Sequence, residues 1–373
     1  MKFDKKPITS YQDEIHLTHV VIEGTNKEIG YQLGCLAKES HNISKISDMD
    51  RQVVESQYDH IKTNYPQHYA RMIGYAEAYG RGLDDQNSDF SFFGEVPDGT
   101  ACSAVYYPPA ITSTGCGSLS RNLDFSIPAN IKKPSFPFKH SYLVEMHPDS
   151  GYASISLFCF EVFGLALEGI NSEGLTVIHL ADNDTKFHHE NLATGGTAKG
   201  FNEFLPVQFL LDTCSTAKEA EEALRRTKHY HVAFATHLLV ADKEGDSFVF
   251  EYSPDGTNKV IIQGSKTAPE KITNFQLNRL SDEIMANELK SRSSENGFDR
   301  YLVLQKQIDQ VKFPITKSVV REINSSVYVH EDSENVLDRT IFHSIYDMTL
   351  RTVQIGLLPE RNRAANEFFR FSL

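Results

Sequence analysis

The sequence predicts an α+β protein in which antiparallel sheets are covered by helices. Three observations predict it. Strand-like segments come in adjacent pairs split by turn residues. Tyr142–Met146 and Tyr152–Phe158 flank Pro148-Asp149-Ser150-Gly151, and His237–Asp242 and Ser247–Tyr252 flank Lys243-Glu244-Gly245-Asp246. Helical stretches stand in separate blocks. The order along the chain is helices, strands, helices, strands, helix, strands. It lacks the strand–helix–strand alternation that a doubly wound parallel sheet requires.

Taken in order, residues 1–100 read as mostly helical. Thr25-Asn26 is an N-cap signal before Glu28–Ala37, with Glu28 in the first turn. Tyr58–Gly80 carries Ile61, Tyr65, Tyr69, Met72, Ile73, Tyr75 and Ala76 at helical spacing. Asp84–Asp89 is a polar loop. Near residue 100 the texture turns β-rich: Ala104–Tyr107 is a short strand, and Ile170–Ile178 reads as strand, turn, strand. Residues 202–227 are helical again, with Thr216-Ala217-Lys218-Glu219 as a capping box. Residues 298–325 read as helix, and His343–Asp347 with Thr352–Gly356 as a last hairpin. There is no internal repeat and no low-complexity linker.

The chain has 373 residues, enough for a large core in one domain or two. Lys plus Arg number 37 against 50 Asp plus Glu, a net charge of −13. That surface suits neither general nucleic-acid binding nor an anionic membrane. No run approaches the roughly 18 apolar residues of a membrane span, and no apolar run follows the first basic residues as in a secretory signal. The five cysteines, Cys35, Cys102, Cys116, Cys159 and Cys214, include no C-x-x-C pair. This argues against a zinc ribbon or a disulfide scaffold and for a reducing, cytoplasmic setting.

Several residues could carry chemistry. Cys102 lies among small residues in Asp98-Gly99-Thr100-Ala101-Cys102-Ser103-Ala104, where helices give way to strands. The ordinary role of such a thiol is that of a small buried hydrophobe. Arg121 and Asp124 stand three apart in Ser120–Phe125. In a strand they face opposite sides, so they share a site only where the strand ends or turns; otherwise they make structural ion pairs. Gly117-Ser118-Leu119 suits a hairpin return that brings Arg121 beside the strand of Cys102. Asn274 and Arg300, each taken alone, read as a turn residue and a solvent-facing helix residue. His179, Asp182, Asp184, His188 and His189 are metal-ligand types in one polar segment. They lack helical His-x-x-x-His spacing and a cysteine partner, and a border to a substrate entrance suits them better. His237, on a strand, reads as a satisfied core histidine rather than a base. Cys35, Cys116, Cys159 and Cys214 read as structural.

In joint order and spacing these residues resemble the cysteine N-terminal-nucleophile (Ntn) hydrolases. The matching groups are the acyl-CoA:6-aminopenicillanic acid acyltransferase family and its relatives, the choloylglycine hydrolases and penicillin V acylases. Glu28–Gly34 and Met72–Gly80 look like the family's two N-terminal helical motifs. Ala101-Cys102-Ser103 looks like its processing junction and Arg121-Asn122-Leu123-Asp124 like its Arg-Asn-x-Asp signature. Glu168-Gly169-Ile170-Asn171-Ser172-Glu173-Gly174-Leu175 resembles its Gly-Met-Asn-Glu-x-Gly-Leu motif. The hairpin His237–Glu251, then Asn274, Arg300 and Ser344–Asp347 follow in family order.

The resemblance implies a four-layer αββα sandwich with two antiparallel sheets. It implies a precursor cut between Ala101 and Cys102, giving a mainly helical segment 1–101 and a catalytic core 102–373. Cys102 would then be nucleophile and, through its own α-amine, base. Asn274 and the backbone N–H of Ala181 would hold the oxyanion, Asp124 the α-amine and Arg121 the thiolate, with Arg300 a further active-site arginine. Two positions depart from the pattern: Ala101 where the family often has Gly, and Ala181 where choloylglycine hydrolases have Asn. The expected reaction is hydrolysis of a linear carbon–nitrogen amide in a small N-acyl substrate, with no cofactor or metal. The acyl group is expected to be apolar, although Leu157–Phe160 and Val162–Leu165 read first as core. Acyl transfer to an amine is the alternative, and a non-catalytic binding protein on the same fold the other. The sequence leaves open whether the two fragments stay associated and whether the chain forms a homo-oligomer.

Overall fold

The computed structural model describes residues 1–11, 15–40, 51–91, 100–128, 138–160, 162–182, 185, 200–230, 235–280, 297–332, 336–358 and 368–373. In chain order these form β1 (Lys2–Tyr11), β2 (Ile15–Gly24), α1 (Asn26–Ser40), α2 (Arg51–Asn64), α3 (Pro66–Ala78), β3 (Thr100–Tyr107), β4 (Ser118–Pro128), β5 (His140–Pro148), β6 (Ser154–Phe158), β7 (Glu168–Asn171) and β8 (Thr176–Asp182). There follow α4 (Pro206–Thr213), α5 (Ala217–Arg226), β9 (Ala235–Ala241), β10 (Ser247–Tyr252), β11 (Lys259–Gln263) and β12 (Glu270–Ile272). The chain ends with α6 (Gly297–Gln310), α7 (Lys317–Ser325), β13 (His330–Asp332), β14 (Val336–Asp347), β15 (Thr352–Leu357) and β16 (Phe368–Ser372).

The strands build two sheets. One has nine strands in the order β1-β2-β5-β6-β7-β8-β9-β10-β11, the other seven in the order β12-β3-β4-β14-β15-β16 with β13 on β14. Helices α1, α4 and α5 pack on the first sheet, α6 and α7 on the second, and the sheets meet where β3 faces β8. The alternation of β3 shows the layering in one strand. Cys102, Ala104 and Tyr106 join the core between the sheets. Val105 and Tyr107 join a second core with Leu304, Ile308, Val320 and Ile323 of α6 and α7. The architecture is the expected αββα sandwich.

Several details differ from the sequence pattern; one is that 298–325 holds two helices, α6 and α7. Strands β1 and β2 pair antiparallel where a helical stretch was expected. Their alternation is hard to read because the burial of β2 slips phase between Leu17 and Thr18, while β1 bulges between Pro7 and Thr9. The sheets are also not wholly antiparallel, since β2 pairs with β5 in parallel, from His16↔His140 to Gly24↔Pro148. That joint ties the N-terminal segment to the rest. Asp149 accepts hydrogen bonds from Asn26, and Arg71 of α3 forms a buried ion pair with Asp212 of α4 at 2.5 Å. The helical stretch Tyr58–Gly80 is two helices, broken where Pro66 opens α3.

One inter-sheet contact makes stability depend on pH. The Glu270 carboxylate of β12 accepts a hydrogen bond from Ser247 Oγ of β10 at 2.8 Å. Burial pushes its pKa up to about 7, against the smaller pull of Ser247. A carboxyl raised on folding contributes stability below its unfolded pKa and loses it as pH rises through the folded value. Stability should therefore fall between about pH 4.5 and 7, by on the order of 3 kcal/mol from this group. In Glu270→Gln that portion of the slope in urea unfolding should vanish; an unchanged slope would exclude Glu270 as its source.

Candidate active site

Cys102 is the third residue of β3. Antiparallel pairing sets it against Leu123 of β4, with Ala104 opposite Arg121 and Ala101 opposite Asp124. The hairpin return suggested by Gly117–Leu119 thus places Arg121 one diagonal step from Cys102, on the same face. The guanidinium reaches the thiol, Nη2 to Sγ 3.1 Å. Both side chains are buried.

Asp124 projects from the opposite face of β4, towards α6. By strand alternation alone, Arg121 and Asp124 share a site only where the strand ends or turns. The structure shows another solution: the cluster straddles the strand, and Arg300 bridges it. From α6, Arg300 Nη1 lies 3.1 Å from Asp124 Oδ2 and 2.7 Å from the Cys102 carbonyl oxygen. Its Nη2 donates to Asn274 Oδ1 at 2.8 Å. Asn274 Oδ1 also accepts the Cys102 backbone N–H at 2.8 Å, while Asn274 Nδ2 donates to the Ala181 carbonyl at 2.8 Å. Two donors on one atom and an acceptor on the other fix the carboxamide orientation. A strand residue sends its N–H and C=O to the same edge, so the Ala181 N–H shares the edge that faces Asn274. Cys102, Arg121, Asp124, Asn274, Arg300 and Ala181 are therefore brought into one cluster, and Ala101 lies beside it in β3.

The electrostatics are those of a dry, charged site. Burial pushes the Cys102 thiol up, Arg121 pulls it down and Asp124 pushes it up again; the net shift is upward. Burial opposes the Arg121 charge, but Cys102 and Glu168 outweigh it and raise its pKa. Burial also raises Asp124, against the pull of Arg300 and Thr340.

Two contributors were not singled out from sequence. Glu168 of β7 pairs with Arg121 at 2.9 Å and accepts from Tyr346 Oη at 3.1 Å. A lone carboxylate in the apolar run Leu165-Ala166-Leu167-Glu168 is the available signal, because a buried charge needs a partner. Thr340 Oγ donates to Asp124 Oδ1 at 2.6 Å from a bulged stretch of β14, and nothing local in the sequence marks that bulge.

Of the metal-ligand types, Asp184, His188 and His189 lie outside the described residues. His179 is buried, and burial, Arg121 and His237 push its pKa down to about 3. Among the described residues no group of three His, Cys, Asp or Glu side chains is arranged to hold a metal ion. None of the described helices is long and apolar enough to cross a membrane. His237 is held in the core by Glu251, Nδ1 to Oε1 3.0 Å, as its strand position suggested. A cleft of about 380 Å³ between Lys5, His16, Glu39 and His140 shares no residue with the cluster.

The chain matches the family described as acyl-coenzyme A:6-aminopenicillanic acid acyl-transferase over residues 114–362. It belongs to that family. The match takes in Arg121, Asp124, Ala181, Asn274 and Arg300 and begins after Cys102. No curated protein matches the chain. Among solved structures, penicillin V acylase from Agrobacterium tumefaciens is 18% identical, with 69% of this chain and 83% of that chain covered at a TM-score of 0.46. Two variants of the conjugated bile acid hydrolase from Clostridium perfringens are 13% and 12% identical, each covering 73% of this chain and 92% of the other, with TM-scores of 0.49 and 0.48.

Within the acyl-transferase family's matched region, Asn171 has a supporting place. Its Nδ2 donates to the Leu211 and Cys214 carbonyls, and its Oδ1 accepts from the Glu173 and Leu175 N–H groups. It closes the β7–β8 turn and locks it to the end of α4.

Proposed function

We propose that this chain is a self-processing cysteine amidohydrolase that cleaves the linear amide of a small N-acyl substrate through a thioester on Cys102. The observation that carries the reading is the grip on one residue from two sides. Arg121 holds the sulfur, while Asn274 and Arg300 hold the N–H and C=O of the same Cys102. A buried structural thiol has no use for such a set.

Activation comes first. Cys102 Sγ attacks the Ala101 carbonyl carbon; the C–N bond breaks and the Cys102 nitrogen takes up a proton. Water then cleaves the thioester, leaving the Ala101 carboxylate and a free Cys102 α-amine. Ala101 restricts φ more than Gly would, which slows this step. The new amine has an intrinsic pKa of about 7.7–8.0 and is partly neutral near pH 7. It supplies the base that a thiol raised by burial lacks.

In turnover the amine takes the thiol proton and sulfur adds to the substrate carbonyl. Asn274 Nδ2 and the Ala181 N–H stabilise the oxyanion; such donors are typically worth about 2.7–4 kcal/mol each. The C–N bond breaks, the leaving amine takes a proton from the α-ammonium, and water resolves the thioester. Asp124 holds the α-ammonium, and Arg300 holds Asp124 and the Cys102 carbonyl. Hydrolysis is favoured over acyl transfer because water is always present, whereas an amine acceptor needs its own site.

The test combines intact mass of the full chain with amine release from a panel of N-acyl amides. Wild type should separate into 1–101 and 102–373 and release amine. Cys102→Ala should stay whole and release none, and Cys102→Ser should be severely slowed in both. A Cys102→Ala chain that still hydrolysed the panel would sink the proposal.

A further inference from the structure

Asn274 stands on a loop rather than a strand, so its position depends on what holds that loop. On one side Thr273 Oγ donates to the Gly297 carbonyl at 2.7 Å, and the Phe275 ring packs edge-on against Phe298 and Tyr301 of α6. On the other side lies a row of buried ionisable groups across β8, β9 and β10: Asp182, His237 and Glu251. Leu180 is paired with His237, and Leu238 with Phe250. That register puts the three side chains on one face, side by side.

Glu251 receives the loop. Its Oε1 accepts the Leu277 N–H at 2.8 Å, and its Oε2 accepts the Asn278 N–H at 3.0 Å and Asn278 Nδ2 at 2.9 Å. His237 Nδ1 braces Oε1 at 3.0 Å and turns Nε2 towards Asp182 at 3.8 Å. Asp182 takes Gln276 Nε2 at 3.3 Å, two residues from Asn274. No step proposed for catalysis uses these groups. Burying three of them is costly unless they are paired; Glu251 is paired with residues 277–278, and Asp182 with Gln276 and with Thr185.

We propose that Glu251 is a positioning residue for Asn274, with His237 and Asp182 as its brace. This rests on the oxyanion role proposed above for Asn274. Three N–H donors converge on Glu251, and an ionised acceptor binds such donors about twice as strongly as a neutral one. A neutral carboxamide there keeps one accepting oxygen and turns its N–H groups towards the donor or donors on the other side. The loop would relax and the Asn274 N–H would leave the oxyanion, where a displacement of about 1 Å can cost roughly 100-fold in rate.

Two reagents separate this from loss of fold. p-Nitrophenyl acetate acylates a thiolate through a tetrahedral oxyanion; iodoacetamide alkylates it without one. Both reactions are followed at Cys102 by peptide mass spectrometry on the full chain. Asn274→Ala sets the ceiling, an acylation loss of about 10²–10³-fold. Glu251→Gln should lose roughly 10-fold or more and the half-buried Asn278→Ala a few-fold, with alkylation within about two-fold of wild type. Should Glu251→Gln fail to fold, Asn278→Ala decides. Loss of both reactivities together, or no loss of acylation, in the variant that folds overturns the positioning role. If Asn274→Ala itself acylates normally, the oxyanion reading has failed instead.

Discussion

Arg121→Met is expected to destabilise the protein by about 3–5 kcal/mol and to lower amine release by at least about 100-fold. The two losses have different causes. The guanidinium lies 3.1 Å from the Cys102 sulfur and 2.9 Å from the Glu168 carboxylate, and all three groups are buried. Methionine fills much of the volume but leaves Glu168 with the Tyr346 hydroxyl in place of a charged partner. An uncompensated buried charge sets the stability loss. The activity loss comes from the sulfur, because burial already disfavours the thiolate and Arg121 is the first group that opposes it. The double variant Arg121→Met, Glu168→Gln should therefore recover most of the stability and none of the activity. Urea unfolding, amine release and the pH dependence of Cys102 alkylation read the two effects separately. A single variant that hydrolyses the substrate panel at the wild-type rate would remove Arg121 from the mechanism.

The members of this candidate site were legible through their joint order and spacing, since Cys102, Asn274 and Arg300 taken singly read as structural residues. Gly117–Leu119 signalled the return of β4 beside β3, and that register alone brings Arg121 to Cys102. Turn residues marked the β5–β6, β7–β8 and β9–β10 hairpins for the same reason: a turn is local, so its signal is local. Contacts between distant segments were not legible. Glu168 meets Arg121 across the gap between sheets, and Thr340 meets Asp124 through a bulge on a third strand. The row Asp182, His237, Glu251 forms only when three strands align. Pattern reading also missed β1 and β2, where a phase slip and a bulge break the two-residue period.

Gly74→Ala should destabilise the protein by about 3 kcal/mol, although alanine is the better helix former by about 1 kcal/mol. The two N-terminal helical motifs are the two sides of one close crossing, α1 against α3. A Cβ at Gly74 would lie 1.8 Å from the Lys27 carbonyl oxygen and 2.8 Å from the Tyr31 nitrogen. From the other side, a Cβ at Gly30 would lie 2.0 Å from the Arg71 carbonyl oxygen. These neighbours are backbone, so no rotamer change relieves the clash and the helices must separate. Separation pulls Ile29 and Leu33 away from Met72 and Tyr75, all of them buried. Gly80, which closes the same motif, is held for another reason: its φ is +69° and nothing lies within 4 Å of its missing Cβ. Gly80→Ala should therefore cost only about 1 kcal/mol, and Gly80→Asn less, since asparagine tolerates that conformation. Urea midpoints for the three variants test the distinction. Equal losses at positions 74 and 80 would mean that backbone conformation, not interhelical contact, keeps glycine in the motif. The larger loss should also weaken the hold of residues 1–101, because α1 rests on β2 and β5, the parallel joint between that segment and the core.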